Sequence, residues 1–167
     1  ILEIGAGYGR VGYVCLRALP EATYCVIDVP PALWMSQRYL CSLFPREAVF
    51  RFRHFDSFED VRSEFEASRI RFLTPNQIEL LPDASFDVCL NISSMHEMTR
   101  EQIMTYFRHI GRLSRGYFYT KQFWQSLVAV NGFIRAEEYP IPSSWKILYF
   151  RQHPFQSLFF EALYQIS

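Results

Sequence analysis

Two hydrophobic rhythms alternate along the chain: short unbroken apolar runs, and longer stretches with apolar residues at helical spacing. Ile1–Ile4 and Thr23–Ile27 read as buried strands. Between them, Val11, Val14, Cys15 and Leu19 share one side of a predicted helix that Pro20 ends. Pro30-Pro31 opens a second helix, where Leu33, Trp34, Leu40, Cys41 and Phe44 recur until Pro45. Residues 48–55 alternate as a strand, with Val49, Phe50, Phe52 and Phe55 interrupted by Arg51, Arg53 and His54. Ser57 caps a short helix with Phe58, Val61 and Phe65 inward, and Arg71–Leu73 forms a short strand. Phe86–Asn91 is the clearest buried strand of the middle region.

Thr99-Arg-Glu-Gln102 then spells a capping box ahead of Ile103, Phe107, Ile110 and Leu113. Gly116–Lys121 reads as the next strand, and a helix is expected over Gln122–Val130, ended by Asn131-Gly132. Pro140 and Pro142 force an extended connection. Trp145–Arg151 and Leu158–Ile166 are strands whose short join through His153-Pro154 favours an antiparallel pair. Strand alternating with helix argues for an α/β fold around a parallel sheet.

Composition narrows the class. The 167 residues fit one domain, and no repeat or linker divides them. Half the chain is hydrophobic, enough for a packed core. Seventeen basic and seventeen acidic residues cancel, which removes the electrostatic case for a nucleic acid or an anionic membrane. No apolar run approaches the roughly 20 residues of a membrane helix. Cys15, Cys25, Cys41 and Cys89 have no CxxC spacing; the expectation is four buried, reduced core thiols in a cytoplasmic protein, with no metal site. The first core strand begins at residue 1 without a lead-in, so the expectation is a piece of a longer protein lacking an N-terminal segment.

Chemistry concentrates after the first strand. Gly5-x-Gly7-x-Gly9 lets the backbone turn tightly and approach a ligand that a Cβ would block, and the following helix presents its N-terminal amides there. The dinucleotide fingerprint would place its third glycine where Arg10 stands. Asp28 ends the second strand, where a carboxylate accepts ribose hydroxyls; its alternative is a cap for the Pro31 helix.

Leu81-Pro-Asp-Ala-Ser-Phe-Asp-Val88 resembles the stretch before the fourth strand of class I S-adenosylmethionine-dependent methyltransferases. Further segments are similar to the sugar O-methyltransferase family: Asp28-Val-Pro-Pro31, Leu73-Thr-Pro-Asn-Gln77, Asn91-Ile-Ser-Ser-Met-His-Glu-Met98, Trp145-Lys146 and Phe159-Phe-Glu161. The resemblance covers almost the whole chain, and Ser94-Met-x-Glu-Met98 is its most specific part. It implies a doubly wound, Rossmann-like, mostly parallel seven-stranded sheet of order 3-2-1-4-5-7-6, ending in an antiparallel C-terminal hairpin.

The resemblance also implies roles. Gly5, Gly7 and Gly9 would line the methionine part of S-adenosyl-L-methionine, Glu3 would approach its amino group, and Asp28 would hold the ribose. Asn76 and Gln77 fall where the adenine is met, in place of the usual Gly-Asp pair, and Asn91 would border the methyl-donor pocket. A sugar hydroxyl is a poor nucleophile, so His96 and Glu97 are the candidates for a base beside it. Their bland alternatives are a loop histidine and a carboxylate favouring the nearby helix N-terminus. Tyr117, Tyr119, Trp124 and Trp145 could stack on a sugar but suit a core better. Asp56, Glu59 and Asp60 suit a helix N-terminus better than a metal. The expected partner is a small-molecule or saccharide substrate. Two rival functions remain open: an NAD(P)-dependent oxidoreductase, and a binding domain that kept the fold and lost catalysis.

Overall fold

Parallel strands buried on both faces need apolar residues at every position, and the first third of the chain supplies them. In the computed structural model, residues 1–128 and 132–166 are described. They form two compact units, Ile1–Pro82 and Asp83–Ser167. The architecture is mixed α/β and Rossmann-like, with parallel strands first and antiparallel strands at the C-terminal end.

In the first unit, β1 (Leu2–Ile4), β2 (Tyr24–Ile27), β3 (Val49–Phe50) and β4 (Ile70–Leu73) pair in the order β3-β4-β2-β1, all parallel. The expected order of the first three strands is therefore present, with β3 added at the edge. The 48–55 strand shrinks to two residues because side chains replace its ladder. Gln37 Oε1 accepts from Phe52 N at 2.9 Å, and Gln77 Nε2 donates to Arg53 O at 2.8 Å.

Helix α1 (Arg10–Ala18) buries Gly12 and Leu16, whereas Val14 and Leu19, expected inward, are 56% and 50% exposed. The reason is Gly12: a Cβ there would lie 3.0 Å from the Tyr24 ring, so the closest approach to β2 runs through a glycine. Helix α2 (Pro30–Leu43) buries Leu33 and Leu40 as expected and turns Trp34 outward. Ser57 caps the 3-10 turn Phe58–Asp60, which leads into α3 (Arg62–Ala67). Within that stretch Glu59 pairs with Arg62, so the acidic bunch serves the helix start.

The second unit holds β5 (Phe86–Ile92), α4 (Arg100–Leu113), β6 (Ser114–Phe123), β7 (Gln125–Val128), β8 (Gly132–Arg135), β9 (Lys146–Gln152) and β10 (Phe159–Gln165). Its sheet runs β5-β6-β10-β9, parallel across β5–β6 and antiparallel thereafter. This is the expected order of the last four strands, hairpin included. The Thr99–Gln102 capping box forms, and Ile103, Phe107, Ile110 and Leu113 are buried. Phe107 and Phe118 pack against Trp145, and Trp124 packs on Phe150 and Phe160; both tryptophans are structural.

The helix expected over Gln122–Val130 does not form. Gln122 and Phe123 extend β6, Gln125–Val128 pairs with β8, and residues 129–131 lie outside the described ones. Phe123 pairs with Phe159 of β10, their ring centroids 4.1 Å apart, so a long-range aromatic pair overrides the local helical pattern. The sheet strands thus exceed the expected seven. Cys25 and Cys89 are buried; Cys15 and Cys41 are only half-buried, and all four are free thiols.

Gly116 sits where the β5–β6 register shifts between Phe86 and Val88, and an added Cβ would collide with the Asp87 carbonyl oxygen. By contrast, a Cβ on helical Gly111 would lie 3.5 Å from Trp145, an ordinary contact. Gly116→Ala is expected to cost about 1–3 kcal/mol, and Gly111→Ala to be neutral or stabilising by up to about 1 kcal/mol. Urea midpoints decide: equal stability of Gly116→Ala and wild type would refute the close approach.

Candidate functional site

Ligands of open α/β sheets gather outside the carboxyl ends of the parallel strands. In each unit the expected site residues stand at such ends.

The first unit carries the glycine turn. Gly5, Gly7 and Gly9 all have positive φ, at 74°, 58° and 91°, a region other residues rarely adopt. Gly5 N donates to Ile27 O at 2.8 Å, which folds the turn back over the end of β2. Gly9 is the left-handed residue from which α1 starts. A Cβ on Gly7 would meet nothing within 4 Å, so this part of the turn faces open space. Gly7 N donates to Asp28 Oδ2 at 2.8 Å, and Val29 N donates to Oδ1 at 2.7 Å. Asp28 therefore clamps the turn to the end of β2 while staying partly exposed.

Glu3 lies beneath the turn, 1% exposed, and accepts a hydrogen bond of 2.8 Å from the Tyr24 hydroxyl. Burial pushes its carboxyl up from the ordinary 4.5 to about 7; the Tyr24 bond opposes this and the Asp28 charge adds to it. Burial and the same carboxylate push the Tyr24 phenol far up, which keeps it a donor.

After β4, Gln77 is not presented to a ligand. It is 2% exposed, with its oxygen accepting from Thr74 N and its nitrogen donating to Arg53 O. It closes a capping box on the 3-10 turn Pro75–Leu80. The signal was present in Thr74-x-x-Gln77, the same spacing as Thr99-x-x-Gln102. Asn76 is exposed beside it, its Oδ1 accepting from the Thr74 hydroxyl at 2.6 Å.

In the second unit, Asn91 is fully buried near the end of β5. His96 and Glu97 follow on the 3-10 turn Met95–Glu97. The His96 side chain is 15% exposed, stands edge-on to Phe123 at 4.8 Å, and places Nε2 3.8 Å from Glu97 Oε1. Glu97 itself is 75% exposed. Around them run contacts that sequence reasoning missed. Gln122, fully buried on β6, reaches Asn91 Oδ1 at 2.5 Å, Thr120 Oγ1 at 3.0 Å and His96 Nδ1 at 3.4 Å. Its signal was a polar side chain at the inward position after Phe118 and Thr120.

Other candidates fall away from this chemistry. Tyr119 donates to Glu161 Oε2 while Arg151 donates to Oε1 of the same carboxylate, and Tyr117 is surface-exposed. Among the described residues, no three His, Cys, Asp or Glu side chains converge as a metal site. No helix among them is long and apolar enough to cross a membrane.

The sequence matches no known family profile and no curated protein. Solved structures do match. Mitomycin 7-O-methyltransferase superposes with a TM-score of 0.62 at 16% identity, over 98% of this chain and 48% of that one. The 1,6-didemethyltoxoflavin-N1-methyltransferase of Burkholderia thailandensis, with S-adenosylhomocysteine bound, gives 0.63 at 17% identity, over 99% and 70%. Magnesium protoporphyrin IX methyltransferase of Synechocystis PCC 6803, also with bound SAH, gives 0.66 at 9% identity, over 99% and 73%. The chain has a methyltransferase fold. It spans about half the length of the mitomycin enzyme, and the compounds these three enzymes are named for differ in kind.

Within this methyltransferase fold, the buried Glu3 makes stability depend on pH. Below 4.5 the carboxyl is protonated folded and unfolded. Between 4.5 and about 7 the unfolded chain ionises while the folded one keeps its proton, so stability falls as pH rises. The loss is complete above the folded value and totals about 3 kcal/mol. Glu3→Gln should flatten this slope in urea titrations between pH 4.5 and 8; an unchanged slope would show that Glu3 is not its source.

Proposed function

We propose that the protein is an S-adenosylmethionine-dependent O-methyltransferase acting on a hydroxyl of a sugar or glycoconjugate. The observation that carries this reading is the Asp28 clamp on Gly7 within a methyltransferase fold. It sets a carboxylate suited to a ribose diol beside a glycine turn open enough for the methionine part. Arg10 is already the first residue of α1, so the third glycine of a dinucleotide site has no counterpart. The sugar acceptor is supported by the Asn91–Met98 run and its family resemblance.

When bound, S-adenosylmethionine supplies an electrophilic methyl group on a sulfonium. The chain's own work is then orientation and proton transfer. Asp28 would accept from the ribose hydroxyls, and Glu3, buried beneath the turn, would be favoured in its ionised form by the charge of the ammonium group. Asn76 would border the adenine. Orientation of this kind can contribute roughly 7–11 kcal/mol. His96 accepts the acceptor's hydroxyl proton as the oxygen takes the methyl group, adding about 10²–10⁴-fold. Glu97, 3.8 Å from Nε2, stabilises the imidazolium so formed. The partner is a small molecule or saccharide rather than nucleic acid or membrane, and the four free thiols support a cytoplasmic setting.

Calorimetry with S-adenosylhomocysteine and with NAD tests the cofactor. S-adenosylhomocysteine, the spent cofactor, should bind, and Asp28→Ala should weaken it roughly 10–100-fold. NAD binding without any response to S-adenosylhomocysteine would overturn the reading in favour of an oxidoreductase. Transfer of labelled methyl to a sugar panel tests the acceptor: His96→Ala should lower kcat by about 10²-fold or more, with the cofactor KM unchanged. Normal turnover in both His96→Ala and Glu97→Gln would remove the proposed base.

A further inference from the structure

We infer that Gln122 is a positioning residue for His96, fixing the imidazole as its Nδ1–H tautomer so that Nε2 carries the basic lone pair. A backbone N–H can only donate, and Met95 N donates to the Asn91 side chain at 3.3 Å; the receiving atom must be the amide oxygen. The nitrogen of the same amide then donates to Ser94 Oγ at 2.7 Å. Asn91 Oδ1 in turn lies 2.5 Å from the Gln122 side chain, and oxygen against oxygen at that distance would be strongly repulsive. The Gln122 atom there is therefore Nε2, which also faces Asn91 O at 3.3 Å and Thr120 Oγ1 at 3.0 Å.

With its nitrogen so committed, Gln122 turns Oε1 towards His96 Nδ1, 3.4 Å away. A carbonyl oxygen has only lone pairs to offer, so the Nδ1 facing it carries the proton. Neutral imidazole has one N–H, which leaves Nε2 as the acceptor. The register of the sheet holds the relay in place. Asn91 pairs with Thr120 across β5–β6, and Gln122 is the diagonal neighbour two residues on. Asn91 and Gln122 are both fully buried, so water does not compete for the bond between them. Phe123, edge-on to the ring, limits its rotation.

The consequence for chemistry is direct. Only an Nε2 lone pair can take a proton at that nitrogen; Glu97 Oε1, 3.8 Å away and beyond hydrogen-bond reach, does not fix a proton there beforehand but favours the cation once it forms. The opposite tautomer would point its lone pair at the Gln122 oxygen and have nothing to accept with at Nε2. This inference rests on the proposed role of His96 as a base, but the tautomer itself can be read without any substrate.

Nitrogen-15 NMR of the histidine rings at alkaline pH supplies that reading on the protein, with His96→Ala used to assign its signals. The wild type should show His96 protonated at Nδ1. Gln122→Leu should shift the ring to an Nε2–H or mixed form and lower kcat about tenfold or more, leaving the cofactor KM unchanged. Gln122→Glu, which keeps an acceptor facing Nδ1, should retain the Nδ1–H form. A wild-type His96 found as Nε2–H overturns the inference outright, whether or not either variant folds. So does a Gln122→Leu protein with an unchanged tautomer. If the tautomer is as inferred but His96→Ala turns over normally, the base assignment fails while the relay stands.

Discussion

The hydrogen bond from Gly7 N to Asp28 Oδ2 is the constraint on which the first unit depends. Each of the three positive-φ glycines brings a large conformational entropy to be overcome. The clamp adds a side-chain restraint from the neighbouring strand to the backbone bonds of Gly5 N to Ile27 O and Gly9 N to Ala6 O. Because Val29 N uses the other carboxylate oxygen, the same side chain also fixes how β2 passes into α2. One aspartate thereby positions the turn, the start of a helix and an exposed carboxylate together. Of the two readings of Asp28 open at the sequence level, the cap does not form: Val29 is the N-cap residue of α2, no side chain caps the helix, and Asp28 bonds the Val29 amide ahead of it.

Each unit also places one polar pair diagonally across two parallel strands. In the first, Tyr24 on β2 donates to Glu3 on β1; in the second, Gln122 on β6 donates to Asn91 on β5. All four residues are buried, at positions where strands of this type are otherwise apolar. A buried polar group without a partner costs roughly 1–3 kcal/mol, and these pairs offset that cost by satisfying each other. Their chemistry differs in one respect. The Glu3 pair holds an ionisable group near neutrality, whereas the Asn91 pair holds only amides and so transmits orientation without charge.

What the sequence made legible follows from how local each signal is. Gly5, Gly7, Gly9 and Asp28 were readable because positive φ and strand ends leave marks in single residues. The capping box at Thr99 was equally local, and the identical spacing at Thr74 could have removed Gln77 from the ligand contacts. The segment from Gln122 onward was misread because its apolar spacing is helical, while its strand state comes from pairing with β10. That single error hid the Gln122 relay, since a residue assigned to a helix start cannot be placed opposite Asn91. The α1 face was misread for a related reason: the residue that packs is Gly12, which carries no hydrophobic signal at all.

The fold and the acceptor are constrained by different kinds of residue, and this explains why one is firmer than the other. The methyltransferase fold follows from strand order, burial and the glycine turn, which tolerate identities as low as 9%. Proteins sharing it act on a mitomycin, a toxoflavin precursor and a porphyrin, so acceptor choice cannot reside in those features. After β5, Ser93 adopts a positive φ of 57° and the Met95–Glu97 turn follows. Ser93 is held there by its bond from N to Lys121 O, in a conformation that costs a non-glycine residue backbone energy. The buried amide of Asn91 ties this segment to β5, its Oδ1 accepting from Met95 N and its Nδ2 donating to Ser94 Oγ, while Gln122 anchors Asn91 from β6.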